Sequence, residues 1–167
     1  NNYSSKERKQ NYTINEIDIE KLSEIDLLNS RYVSQKVRRY IYDNITHIVN
    51  YTFKINKSKF NDVERNITIY FSVFNNNIDI ETLDNYVLKI KILLSFLYRY
   101  SSVSCSKNLE LYLFLSNKKK QLPKKLQPKI LDEDNINSAV TTSCSINGQL
   151  LIYRKEEWYK VLIHELF

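Results

Sequence analysis

The stretch IYRKEEWYKVLIHELF, Ile152 to Phe167, sets the reading of the whole chain. Its apolar residues recur at helical spacing. Trp158, Val161 and Leu162 share one side with Glu165, whereas Ile163 and Phe167 lie elsewhere. The helix is expected to start near Lys155. Glu156 and Glu157 then fall in a first turn whose free N–H groups favour carboxylates. Adjacent acids on a helix diverge, so this pair reads as helix-end stabilisation rather than as a catalytic couple. Two bulky apolar residues flank His164-Glu165 on each side.

A His-Glu pair in such a setting reads as the first part of an H-E-x-x-H helix. Positions i and i+4 lie on one helix face, so two imidazoles at that spacing can grip one zinc ion. The Glu after the first His sits beside the metal-bound water and takes its proton. His164 is therefore the expected metal ligand and Glu165 the expected catalytic base. The second ligand would fall one position beyond Phe167 and a third further on. The helix is expected to be truncated in mid-motif, and the fragment alone is not expected to hold zinc. The plain alternative is a His that caps or packs near a helix end. Cys144 as a nucleophile is a further possibility, with His164 as its one sequence partner and no orienting motif.

The 167 residues, 43% apolar and 26% charged, suffice for one domain with a proper core. The expected organisation is a flexible polar arm over 1–13 and a single domain over 14–167, incomplete at its carboxyl end. Met is absent and the chain begins at Asn1, which reads as a processed product or part of a longer protein. No run of 18 apolar residues exists, so no transmembrane helix is expected. Cys105 and Cys144 make neither a disulfide framework nor a CxxC knuckle. They are read as reduced thiols in an intracellular setting. The net charge of +6 gathers at Lys6–Lys9 and Lys118–Lys129. A polyanion contact through Lys118, Lys119, Lys120, Lys124 and Lys125 is one reading, and a solvated loop is the plainer one.

Ahead of the terminal helix the pattern is helix, strand, strand, long helix, strand, long loop, hairpin. A short helix is expected around Ile19–Leu28 and a longer one over Arg31–Val49, with His47 off its apolar stripe. Period-two alternation marks strands at Tyr51–Ile55, Ile67–Phe74 and Leu109–Leu115, the last central in the sheet. Ile80–Tyr100 is the clearest helix, with Asp79 as its N-cap. Asn117–Asn135 reads as a long loop. Asn137–Ser145 reads as an extended edge strand, and Asn147-Gly148 as a tight hairpin turn into Gln149–Tyr153. A mixed sheet packed against helices, an α+β fold, accommodates this order.

Three matching segments resemble a metallopeptidase family encoded by large nucleocytoplasmic DNA viruses. They are KKKQLP (Lys118–Pro123), NSAVTTSC (Asn137–Cys144) and, most specific, YRKEEWYKVLIHELF (Tyr153–Phe167). They cover about the last third of the chain. The resemblance implies a zincin-like fold in which a hairpin feeds the active-site helix, a zinc cofactor in the complete protein, and a peptide or protein substrate. It implies a host-cell cytoplasmic, virus-factory or virion location. The departure is the absent second His and third ligand. In zincins generally an edge strand holds the substrate by β-augmentation. Ala139, Val140, Thr141 and Thr142, or the strand Gln149–Tyr153, would fill that role; an ordinary hairpin is the alternative. Two other functions stay open: a non-catalytic structural or interaction protein of a large DNA virus, and a basic polyanion-binding module.

Overall fold

The computed structural model describes residues 11–16, 22–57, 62–74, 78–120, 137–142 and 144–166. Among the described residues six strands form one sheet: β1 (Tyr12–Glu16), β2 (His47–Ile55), β3 (Arg65–Val73), β4 (Asn108–Ser116), β5 (Ala139–Thr141) and β6 (Asn147–Arg154). Helices α1 (Asp26–Asn29), α2 (Gln35–Asn44), α3 (Ile80–Leu97) and α4 (Trp158–Leu166) accompany it. The strand order is β1-β2-β3-β4-β6-β5. The pairs β3/β4 and β4/β6 are parallel and the other three are antiparallel. A parallel pair needs a crossover, and α3 supplies the one between β3 and β4.

Alternation along the strands sorts the core into two layers. Val49 and Tyr51 of β2, Ile67, Ile69 and Phe71 of β3, Leu109, Leu111 and Leu113 of β4, and Leu150 and Ile152 of β6 point to one face. There they meet Val87, Ile90 and Leu94 of α3 and Trp158 and Leu162 of α4. The opposite face carries Tyr112, Phe114, Leu151, Tyr153 and Val140, which pack under Leu27 and Leu28 of α1 and Val37 and Ile41 of α2. Side chains of successive residues leave a strand on opposite sides, so β4 and β6 feed both layers and are the most deeply buried. Asp79 caps α3 as expected, its Oδ1 accepting from Thr82 N at 3.0 Å. Ser34 caps α2 by accepting from Val37 N.

The expected zincin-like architecture is corrected. It leaned on a tight hairpin feeding a helix. The molecule instead has a six-stranded mixed sheet clad with helices on both faces, and no zincin fold is shown. Asn147-Gly148 is not a turn. A two-residue I′ turn needs positive φ, and this glycine has none. Both residues open β6, paired with Asn108 and Leu109. Gly148 is required by contact: an added Cβ would sit 2.3 Å from Ser106 Oγ.

Other boundaries shift too. The helix expected over Arg31–Val49 ends at Asn44. The β-branched run from Ile45 extends into β2, which pairs with β3 along its whole length. His47 therefore starts a strand, half-buried, rather than lying on a helix. Residues 12–13, expected in a flexible arm, are part of β1. Of the helix expected near Ile19–Leu28, Leu22, Ser23 and α1 are helical with a break at Glu24 and Ile25, and residues 17–21 lie outside the described residues. Most of the expected loop Asn117–Asn135 lies outside them as well. Glu156 and Glu157 precede α4 rather than opening it, and Glu157 takes a φ of 57°. Cys105 and Cys144, expected as free thiols, are joined in a disulfide. No described helix is long and apolar enough to cross a membrane.

Candidate functional site

Helix α4 is held by its apolar side. Trp158 and Leu162 are buried, and the Trp158 ring lies 4.7 Å from that of Tyr86 on α3. At 100° per residue, Glu165 falls between Val161 and Trp158, on the margin of this buried side. His164 falls beside Lys160, on the outer side. Accordingly Glu165 is half-buried and His164 exposed. Neither side chain makes a hydrogen bond or ion pair with a described residue, so both are uncommitted within the fold.

The same helix packs against β5 and β6. Among the described residues strand β5 is an edge strand, paired with β6 alone. Its register is Ala139 opposite Ile152, Val140 opposite Leu151 and Thr141 opposite Leu150. Thr142 N donates to Gln149 O at 2.9 Å, and Tyr153 N donates to Ser138 O at 3.1 Å. Close pairs alternate along an antiparallel ladder. Val140 therefore directs its own N–H and C=O at β6, while Ala139 and Thr141 direct theirs outward, away from the sheet. The Ala139 side chain packs on the α3/α4 layer, Val140 is buried under α1 and α2, and Thr141 is exposed. Thr142 is committed: its Oγ1 accepts from Gln149 N at 2.9 Å and closes the ladder. Of the four residues expected to bind substrate, the fold thus turns two outward and uses two internally.

The fit of a metal can be judged on the side chains themselves. A catalytic zinc takes three protein ligands. Among the described residues, no group of three or more His, Cys, Asp or Glu side chains is gathered to hold a metal ion. His164 offers a single imidazole, which does not by itself fit a zinc ion. His47 is remote in sequence, on β2, and its Nδ1 is buried without a hydrogen-bond partner among the described residues.

Of the five lysines read as a polyanion contact, Lys118, Lys119 and Lys120 are described and exposed, and Lys124 and Lys125 lie outside the described residues. Lys118 continues from β4 and places its Nζ 4.6 Å from the Tyr40 ring centre. It lines a cleft of about 320 Å³ with Lys36, Arg39 and Asp43 of α2. A neighbouring hollow brings Lys118 and Lys119 together with Lys155. Lys36, Arg39 and Lys155 were not legible as part of this basic cluster. They are scattered in sequence, and the packing of α2 on the sheet together with the pairing of β4 and β6 makes them neighbours.

A third polar constellation lies on the sheet itself. Asn66, Asn108 and Asn147 stand side by side across β3, β4 and β6, and Thr68, Glu110 and Gln149 form the next row. These too are distant in sequence, and no local spacing signals them. Compared with models of known protein families, with curated proteins and with solved structures, the chain matches none.

Proposed function

We propose that this chain handles peptides. An extended segment adds to the sheet along β5, and the His164–Glu165 end of α4 belongs to a metal-dependent peptidase centre whose other ligands come from outside the described residues. The observation that carries this reading is the adjacency of two features. The edge strand turns the backbone of Ala139 and Thr141 outward. The helix packed beside it ends in an exposed imidazole and a half-buried carboxylate, both uncommitted. Main-chain pairing at a sheet edge supplies affinity without reading side-chain identity. In this proposal His164 would help hold the metal and Glu165 would accept a proton; a metal bound in such a centre would supply an activated water.

The test uses the full-length natural protein, with zinc measured by mass spectrometry and cleavage measured on an unstructured protein such as casein. The expected result is about one zinc per chain, lost in His164→Ala. Glu165→Gln should retain zinc and lose at least about 100-fold in rate. Absence of stoichiometric zinc, or full activity in Glu165→Gln, overturns the peptidase reading.

A second reading, contact with a polyanion, is favoured by the gathering of Lys36, Arg39, Lys118, Lys119 and Lys155 at one end of the sheet. Binding of a single-stranded DNA oligonucleotide should then weaken steeply with salt. A double Arg39→Gln, Lys118→Gln variant should show a shallower salt slope. A slope unchanged in that variant rules the cleft out.

A further inference from the structure

We infer that the open face of the sheet at the amino ends of β3, β4 and β6 is a binding groove for a neutral polyhydroxylated ligand, a sugar by class. The face is the one covered by α1 and α2 further along. Those helices sit on Phe114, Leu151 and Tyr153, and toward Asn108 and Asn147 a groove of about 460 Å³ remains. That volume suits a small ligand.

The groove floor is built by register. In-register residues on neighbouring strands present their side chains to the same face. Asn66 Nδ2 donates to Asn108 Oδ1 at 2.9 Å, and Asn108 Nδ2 donates to Asn147 Oδ1 at 2.8 Å. The amide ladder therefore has a direction. It ends in an acceptor, Asn66 Oδ1, and a donor, Asn147 Nδ2, neither bonded to a described residue. In the next row Glu110 Oε2 accepts from Tyr112 OH at 3.0 Å and from Gln149 Nε2 at 2.8 Å. Its second oxygen, Oε1, makes no hydrogen bond with a described residue. The carboxylate is thus fixed by two partners while keeping a free acceptor over the groove, which is how a site is preorganised. Tyr70 and Tyr112, stacked at 4.9 Å, stand in the row beyond.

The chemistry of the lining selects the ligand. It holds one carboxylate and no Lys or Arg. The single carboxylate disfavours phosphates and other anions beside it, in contrast to the basic cleft beside α2. Fixed acceptors and donors a few ångströms apart match hydroxyl groups, each of which both donates and accepts.

The experiment is an amide NMR titration of the chain with the methyl glycosides of glucose, galactose, mannose and N-acetylglucosamine, carried into the millimolar range. At least one glycoside should shift the amides of Asn66, Asn108, Glu110, Asn147 and Gln149 saturably. Glu110→Gln, which preserves shape, should weaken that binding about tenfold or more, since a bond to a charged acceptor is lost. Thr68→Val, in the Glu110 row and without a side-chain hydrogen bond to a described residue, serves as a second variant with the fold intact and should also weaken it. No saturable shift with any glycoside overturns the inference. Equal affinity in both variants does so too, as does binding of arginine amide in place of every sugar.

Discussion

Cys105 and Cys144 are joined by a disulfide, with their Cα atoms 5.0 Å apart, that ties the turn ahead of β4 to the loop between β5 and β6. The two segments also share backbone bonds: Ser106 N donates to Ser145 O, and Asn108 N donates to Ile146 O. The cross-link spans 39 residues of sequence, so its removal restores considerable freedom to the unfolded chain. By the chain-entropy relation that is roughly 4 kcal/mol as an upper figure. Reduction, or Cys144→Ser, should therefore lower the denaturant midpoint clearly while the sheet persists. An unchanged midpoint with and without reductant would show that the link contributes nothing to stability.

Four tyrosines make the fold sensitive to alkali. Burial raises the phenol pKa of Tyr51, Tyr70, Tyr98 and Tyr112 above the usual 10.0. For Tyr51 a hydrogen bond donated to Asp84 at 3.0 Å adds to this, and for Tyr70 and Tyr112 the Glu110 carboxylate does. Tyr98 is pushed up to about 12, with the Arg65 guanidinium stacked on its ring opposing the shift. Raised pKa values mean that the folded state holds these protons longer than the unfolded one. Their contribution is present in full below pH 10 and is lost as pH rises through the folded values. Thermal melts should hold steady up to about pH 9 and fall steeply above the ordinary tyrosine pKa. Tyr98→Phe should make that fall shallower. A melting temperature flat to pH 12 would contradict the assignment.

Legibility in the sequence followed periodicity. β3, α3 and β4 were readable because each repeats one spacing over two or more turns or pleats, and the Asp79 cap is a local signal. β1 is not, since its five residues straddle the edge of a polar, charged stretch and become a strand only by pairing with β2. The β2 boundary was misread because a strand beginning directly after a helix continues its apolar residues without a break. Asn147-Gly148 carries a turn signal that tertiary contact overrides: Gly148 sits where Ser106 leaves no room for a Cβ. The His164-Glu165 pair and the small-residue strand were visible as local motifs. The disulfide, the basic cleft and the amide ladder were not, since each joins residues that only strand pairing or helix packing brings together.

The outward backbone of β5 makes a prediction that separates peptide capture from fold stability. Proline removes a backbone N–H and is tolerated on the free side of an edge strand. At position 141 the N–H points away from β6 and meets no described residue, so Thr141→Pro removes a backbone donor the sheet does not use, together with the exposed hydroxyl's bond to Gln149 O at 3.3 Å. At position 140 the N–H points at β6, and the side chain is buried beneath α1 and α2. Val140→Pro should therefore cost about 3 kcal/mol or more, through a lost ladder bond and disturbed packing. Thr141→Pro should change stability by less than about 1 kcal/mol. If extended peptides add to this edge, Thr141→Pro should abolish their binding, measured by fluorescence anisotropy of a labelled unstructured peptide. Ile14→Pro on the opposite edge strand, β1, should leave that binding intact. Should Thr141→Pro bind the peptide as well as the parent chain does, β5 is not the docking edge, and any peptide contact lies elsewhere on the molecule.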